Sequence, residues 1–275
     1  ATPTDKPVPS RVSIRLRLES GGQRIFWDDL PSALDYALFP LRGSQTWLLK
    51  DVRFSLELTY CQQDAAEVRA ALWAWETFGG LGARTRRGFG ALQCTAVNGT
   101  PVQPPATVEQ AREAIHNGLL THVADGLWHS HVPHLHRPTP GAAYAVANDR
   151  FRLVEKDSVA EAHAYLIRRL RSIIFHFKTD NDPPDHTLQG VNHDRLASPL
   201  ILRPLVLANK AAAALAICLD APIVPPGGLT LDPPAVVSPA PPLRADLTAR
   251  DAQTTPLSVP LNKEPDILLA FLNRL

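Results

Sequence analysis

An α+β fold is what the sequence predicts, and three observations predict it: two segments alternate apolar and polar residues, a later run repeats apolar residues at helical spacing, and proline and glycine punctuate the intervals. From Val12 to Leu18 apolar residues alternate with Ser13, Arg15 and Arg17, the period of a strand whose wet face is basic. "DVRFSLELTY" repeats the pattern, with Val52, Phe54, Leu56 and Leu58 on one side and Arg53, Ser55, Glu57 and Thr59 on the other. Asp64 followed by Glu67 is an N-cap pattern, and Val68, Leu72, Trp75 and Phe78 recur at helical spacing, which predicts an amphipathic helix over 64–78 stopped by Gly79. "ALQCTAV" is then expected to return as a strand beside the first. Strand, helix and strand in this order make a right-handed crossover, half of a ferredoxin-like unit.

"TPVQPPAT" breaks this pattern, and Thr107 with Gln110 opens a short helix to about residue 119. A loop rich in histidine and proline follows. Ser158 and Glu161 cap a longer helix in which Val159, Leu166, Leu170 and Ile173 line one side, with Arg168, Arg169 and Arg171 mainly outside it. "SPLILRPLVLANKAAAALAICLDAP" reads as two strands joined at Asn209–Lys210, with a helix over the alanine run as the alternative. Residues 222–260 are rich in proline and lack periodicity, which predicts a long surface excursion rather than core. Glu264 and Pro265 open a final helix whose Ile267, Leu268, Phe271, Leu272 and Leu275 form an apolar stripe.

A chain of 275 residues can bury two modest cores, and 45% hydrophobic residues is ordinary for a globular protein. Net charge is only +1, so attraction to a polyanion must come from local clustering. Arginine far outnumbers lysine, which suits bidentate phosphate contacts but also arises from genomic base composition. Cys61, Cys94 and Cys218 form no CxxC pair, which argues against a disulfide framework or zinc ribbon and for a reducing, cytoplasmic setting. No run approaches the roughly 18 to 20 apolar residues of a membrane span, so no membrane partner is expected. "ATPTDKPVPS" reads as a cut end or linker, and methionine is absent throughout, as in a fragment or the product of a split gene.

The densest chemistry lies in "GGLGARTRRGFGAL", residues 79–92. Its glycines permit positive φ and close backbone approach to a ligand, and Arg84, Arg86 and Arg87 add cationic forks able to grip a sugar-phosphate backbone. The segment lacks the GxxxxGK[ST] of a Walker loop and does not open a helix as a dinucleotide fingerprint does. On composition alone two readings stand: nucleic-acid binding, or a tight connection with solvated arginines.

This segment resembles the glycine-rich loop of the RAMP superfamily of CRISPR proteins, which lies between the second helix and fourth strand of a ferredoxin-like fold. "YALFPLRG" (36–43) and "RLASPLILRPL" (195–205) make the chain similar, from about Arg11 to Pro222, to the family of first subunits of the type III-B Cmr effector complex. The resemblance implies two ferredoxin-like (RRM-like) units of RAMP type, 1–105 with the loop and 106–275 with helical and proline-rich insertions. It implies a non-nucleolytic, RNA-binding role in antiviral defence near the 3′ end of the guide, contacting guide RNA, target RNA and other RAMP subunits of the Cmr complex, without a cofactor. Family members begin with a strand and a helix carrying an Arg-Trp-Trp-Arg-like segment, which nothing before Val12 supplies and "RIFWDDL" does not match. The first unit is therefore expected to lack its leading strand-helix segment, supplied by a separate chain or left as an open sheet edge.

Carried over by motif, Gly79, Gly80, Gly82, Gly88 and Gly90 shape the loop, and Arg84, Arg86 and Arg87 are its phosphate contacts. Phe89 either stacks on a base or enters the core, and the core is favoured. Arg195 and Arg203 are RNA or partner contacts, with a structural salt bridge as the alternative for Arg203.

Three rival chemistries are weaker. His129, His131, His134 and His136 fall within eight residues, but without an i, i+4 pair, a cysteine or a carboxylate in the run, so a surface loop rather than a metal site is expected. His116, His122, His163 and His176 are expected as ordinary surface or boundary residues. Metal-independent RAMP endoribonucleases that process CRISPR RNA are the alternative function, requiring a base for a 2′-hydroxyl and a cation for the phosphorane. No base is identifiable here, and more than half the chain follows a loop that those enzymes keep near the C-terminus, so no catalytic residue is assigned. Asp28 and Asp29 would point to opposite faces of a strand, Asp180, Asp182 and Asp185 lack the rest of an EF-hand, and no GxSxG elbow occurs.

Overall fold

The computed structural model describes residues 10–26, 29–38, 48–124, 134–138, 150–179, 189–190, 200–219, 229–231, 235–237, 271–272 and 275. In its first part the chain forms β1 (Val12–Ser20), β2 (Gln23–Ile25), α1 (Asp35–Leu38), β3 (Leu48–Lys50), β4 (Arg53–Tyr60) and α2 (Ala65–Phe78). The two alternating segments pair antiparallel: Ile14 lies opposite Leu58, Leu16 opposite Leu56 and Leu18 opposite Phe54. This register gathers the apolar residues on one face and leaves Arg15 opposite Glu57, in ion-pair contact at 3.3 Å, on the other. β2 and β3 form a second short ribbon. The apolar face of β1 is open, with Ile14, Leu16 and Leu18 exposed at 64, 58 and 59%. On β4, Phe54 meets the Trp75 ring of α2 at 6.4 Å.

The start of α2 differs from expectation. Asp64 is buried, ends a short 3-10 turn and makes no side-chain cap bond; its Oδ1 instead pairs with Arg11 at 2.6 Å. The stop is as expected: the Gly79 N–H donates to Trp75 O at 2.9 Å, and the extended exit would put a Cβ 2.6 Å from that same oxygen. Beyond the glycine-rich segment no strand returns to β1 or β4 among the described residues. β5 (Ala96–Val97) instead pairs with β6 (Thr100–Pro101) across Asn98 and Gly99, whose φ values of 50° and 78° make the tight turn that an Asn-Gly pair favours. That local closure overrides the expected strand.

The second part is built on α3 (Val108–His122), β7 (Phe151–Lys156), α4 (Val159–Thr179), β8 (Gln189–Gly190), β9 (Leu200–Val206) and β10 (Ala212–Cys218). Both long helices start as their cap residues predict. Thr107 Oγ1 accepts from Gln110 N and Gln110 Oε1 from Ala106 N; Ser158 Oγ accepts from Glu161 N and Glu161 Oε2 from Asp157 N. α3 runs past residue 119 to His122. The alanine run is strand, not helix: β10 is the centre of an antiparallel sheet in the order β7-β10-β9. Burial on both faces explains it. Ala212, Ala214, Ala216 and Cys218 join a core with Ala162, Leu166, Ile167 and Leu170 of α4, while Ala213, Leu215 and Ile217 join one with Val108, Ala111, Ile115 and Leu119 of α3. Small side chains on the first face let α4 approach closely.

Phe78, at the end of α2, shares the α3 core, and Trp73 packs edge-on against Phe78 at 5.4 Å. Leu34 and Ala37, around α1, share the α4 core with Phe271 and Leu272, and Leu275 packs against it; Ile267 and Leu268 of the expected C-terminal stripe lie outside the described residues. In the proline-rich region, β11 (Leu229–Leu231) pairs with β8 and with β12 (Ala235–Val237). Among the described residues no helix is long and apolar enough to cross a membrane. The result is a mixed α/β architecture of small antiparallel sheets and helices, in which the loop after α2 lies against the edge of the second sheet.

Candidate nucleic-acid interface

After Gly79 the chain forms a closed loop whose neck is the hydrogen bond from Leu81 N to Gly90 O, 2.9 Å. Gly90 has φ +64°, and a Cβ there would stand 1.8 Å from Leu81 O, so only glycine permits this neck. Gly80 lies against the Gly90 carbonyl, while Leu81, Gly82 and Ala83 form an exposed tip. The returning limb turns twice, with Arg87 N on Arg84 O at 2.8 Å and Gly88 N on Thr85 O at 3.0 Å. Arg84 itself takes the left-handed conformation, φ 63°. Gly88 is buried at φ +86°, where a Cβ would meet His163 Nε2 at 2.9 Å and Pro204 Cδ at 3.0 Å.

The limb docks on the edge of β9. Leu202 N donates to Arg86 O at 3.0 Å, and Arg87 makes a parallel bridge to Leu202. Pro204 in β9, which has no N–H to offer a neighbour, is consistent with an edge position. His163 of α4 holds the Arg87 carbonyl through Nε2 at 2.7 Å and meets the Phe89 ring edge-on at 4.7 Å. Phe89 therefore packs against the α4 core, the favoured reading of that residue.

Two of the loop arginines are oriented by backbone oxygens. Arg84 Nε donates to Ala37 O of α1 at 2.6 Å, and Arg87 Nη1 to Leu200 O of β9 at 3.1 Å. Burial, then crowding by Arg84, pulls the Arg87 guanidinium down to about 10, with Tyr36 opposing and Arg86 adding to the fall. Tyr36 is raised by burial, against the pull of Arg87, Arg84 and Arg171. Arg84 and Arg86 thus act electrostatically on Arg87, and the three guanidiniums concentrate positive potential at the returning limb.

Arg203 is not at the surface. Its side chain is buried at 1% exposure, and its terminal nitrogens donate to the carbonyls of Gly79 and Leu92, on either side of the neck. It forms no salt bridge with any described carboxylate; burial lowers its guanidinium to about 10, with Glu76 opposing. Arg195, His129, His131, Asp28 and the three aspartates at 180, 182 and 185 lie outside the described residues. His134 and His136 are half-buried. Two histidines expected at the surface or boundary, His116 and His163, are instead buried at 6% and 8%, His163 against the Arg87 carbonyl and the Phe89 ring. Tyr36 and His163 are the site residues that sequence reasoning missed. Tyr36 opens the YALFPLRG motif, a signal that could have found it, whereas nothing near His163 in sequence marks its long-range partner.

Residues 21–93 match the model of the RAMP superfamily, a stretch that begins after β1 and ends just beyond the glycine-rich loop. No curated protein sequence matches the chain closely enough to count as a relative. The fold resembles the crystal structure of Cmr1 from Pyrococcus furiosus in its apo form, with a TM-score of 0.50, 19% identity, and coverage of 76% of this chain and 67% of that one. The sequence that builds α1, β4, α2 and the cationic loop thus matches the RAMP-superfamily model, and the chain's fold is like that of Cmr1.

Proposed function

We propose that this chain is a non-catalytic, RNA-binding subunit of a type III-B CRISPR effector of the Cmr kind, contacting guide and target RNA in antiviral defence. The observation that carries the reading is the loop itself: three guanidiniums within four residues, two of them oriented by backbone carbonyls, inside the segment that matches the RAMP superfamily. A guanidinium has five donors, so one bond to a carbonyl leaves others for phosphate oxygens. Arg84 and Arg86 are the phosphate contacts in this reading. Arg87 divides its donors between Leu200 O and the RNA.

The histidine nearest the loop supports binding over cleavage. His163 is buried and its Nε2 is engaged by Arg87 O, a poor position from which to deprotonate a 2′-hydroxyl. Incubation of the chain with labelled CRISPR-repeat RNA in EDTA is expected to give a retarded complex and intact RNA. Fragments with cyclic-phosphate ends would favour the endoribonuclease instead.

The open apolar face of β1 supports a protein partner that supplies a further strand and helix to the first unit, next to the neighbouring RAMP subunits. β4 has β1 as its one neighbour among the described residues, and a two-stranded ribbon is marginal by itself.

A further inference from the structure

We propose that Arg203 is a positioning residue for the glycine-rich loop: it holds the Gly79 and Leu92 carbonyls just outside the neck, and so fixes how the loop arginines are presented. The inference rests on the RNA-binding reading of the loop for its consequence, but not for its geometry.

Arg203 stands on β9 between Leu202 and Pro204, directly opposite Leu215 of β10. Alternation puts it on the same face as Ile201 and Leu205, the face that packs with Phe78 and α3. From there its two terminal nitrogens reach the last carbonyl before the loop and the first residues after it. The neck bond from Leu81 to Gly90 lies one step inside this pair, so the guanidinium forms a second ring around the base of the loop.

A second fact points the same way. The last turn of α2 carries no basic residue of its own, although a helix C-terminus favours a cation. Arg203 brings one from 124 residues away in sequence, onto the Gly79 carbonyl at that end. A buried guanidinium that has Glu76 acting on it but no ion pair with a described carboxylate is costly to maintain, and an apolar side chain would pack there more cheaply. What the apolar side chain would lack is the grip on both carbonyls. Arg87 and His163 fix the returning limb in the same manner, so the loop of the first part is held in shape by β9 and α4 of the second.

The test uses the intact chain with Arg203→Met and Arg203→Lys, reading amide hydrogen exchange without RNA and single-stranded RNA affinity across a salt series. In Arg203→Met, exchange at the Leu81 and Arg87 amides is expected to rise about tenfold or more, with β10 amides unchanged. RNA affinity falls, its salt slope becomes shallower, and Arg203→Lys restores part of both. Unchanged exchange at Leu81 and Arg87 overturns the proposal, even where RNA affinity drops. Faster exchange with unaltered RNA binding keeps the clamp and overturns the RNA-binding reading of the loop. Should β10 lose protection in the methionine variant, the lysine variant decides on the same readings.

Discussion

Burial disfavours the imidazolium of His163, although the bond to Arg87 O works the other way. Its folded pKa therefore lies below the unfolded value of about 6.5. The unfolded chain takes up the proton first as pH falls, so the contribution of His163 is intact above that value and is lost as pH drops through it toward the folded pKa. His163→Gln keeps a donor for the Arg87 carbonyl without the titration. Denaturant midpoints measured from pH 8 to pH 5 are expected to fall more for the parent than for this variant; parallel curves would contradict the assignment. At Gly90, alanine meets both the positive φ and the Leu81 carbonyl. Gly90→Ala is expected to cost about 1 kcal/mol or more, read as a lowered melting temperature, with faster exchange at the Leu81 amide.

At the scale of elements, the caps of α3 and α4 are reciprocal side-chain and backbone pairs of the same design. Thr107→Ala removes the acceptor for Gln110 N and is expected to destabilise by about 1 kcal/mol in chemical denaturation. The ribbon of β1 and β4 behaves differently. Leu16 is mostly exposed, so Leu16→Ser is expected to change the stability of the isolated chain by no more than about 0.5 kcal/mol, while weakening association with a partner that covers this face. Elements with an uninterrupted period were legible in the sequence: β1, β4, α2 and α4 follow their alternation or helical spacing, whereas the continuous apolar run of β9 and β10, buried on both faces, left strand and helix both open over the alanines. The strand expected in 91–97 was not, because the Asn98-Gly99 turn, itself a sequence signal, closes a local hairpin first. Asp64 has the local pattern of a cap, and the partner that takes its carboxylate, Arg11, is remote in sequence.

For the whole molecule, the loop's composition was legible and its setting was not. Arg87 and Leu200 are separated by 113 residues, and Arg203 acts on carbonyls that every residue possesses, so no local pattern announces either interaction. The sequence located the cationic cluster; the fold leaves Arg84, Arg86 and Arg87 half-buried on the loop and buries Arg203 at its base. Salt dependence of single-stranded RNA binding tests the central claim most directly, comparing the parent with the Arg84→Ala, Arg86→Ala double variant. If these two arginines neutralise phosphates, the double variant binds more weakly and the slope of log affinity against log salt falls in magnitude by about 1.4, roughly 0.7 for each phosphate no longer neutralised. Equal affinity and equal slope, with the fold intact, would contradict the assignment of RNA to this loop.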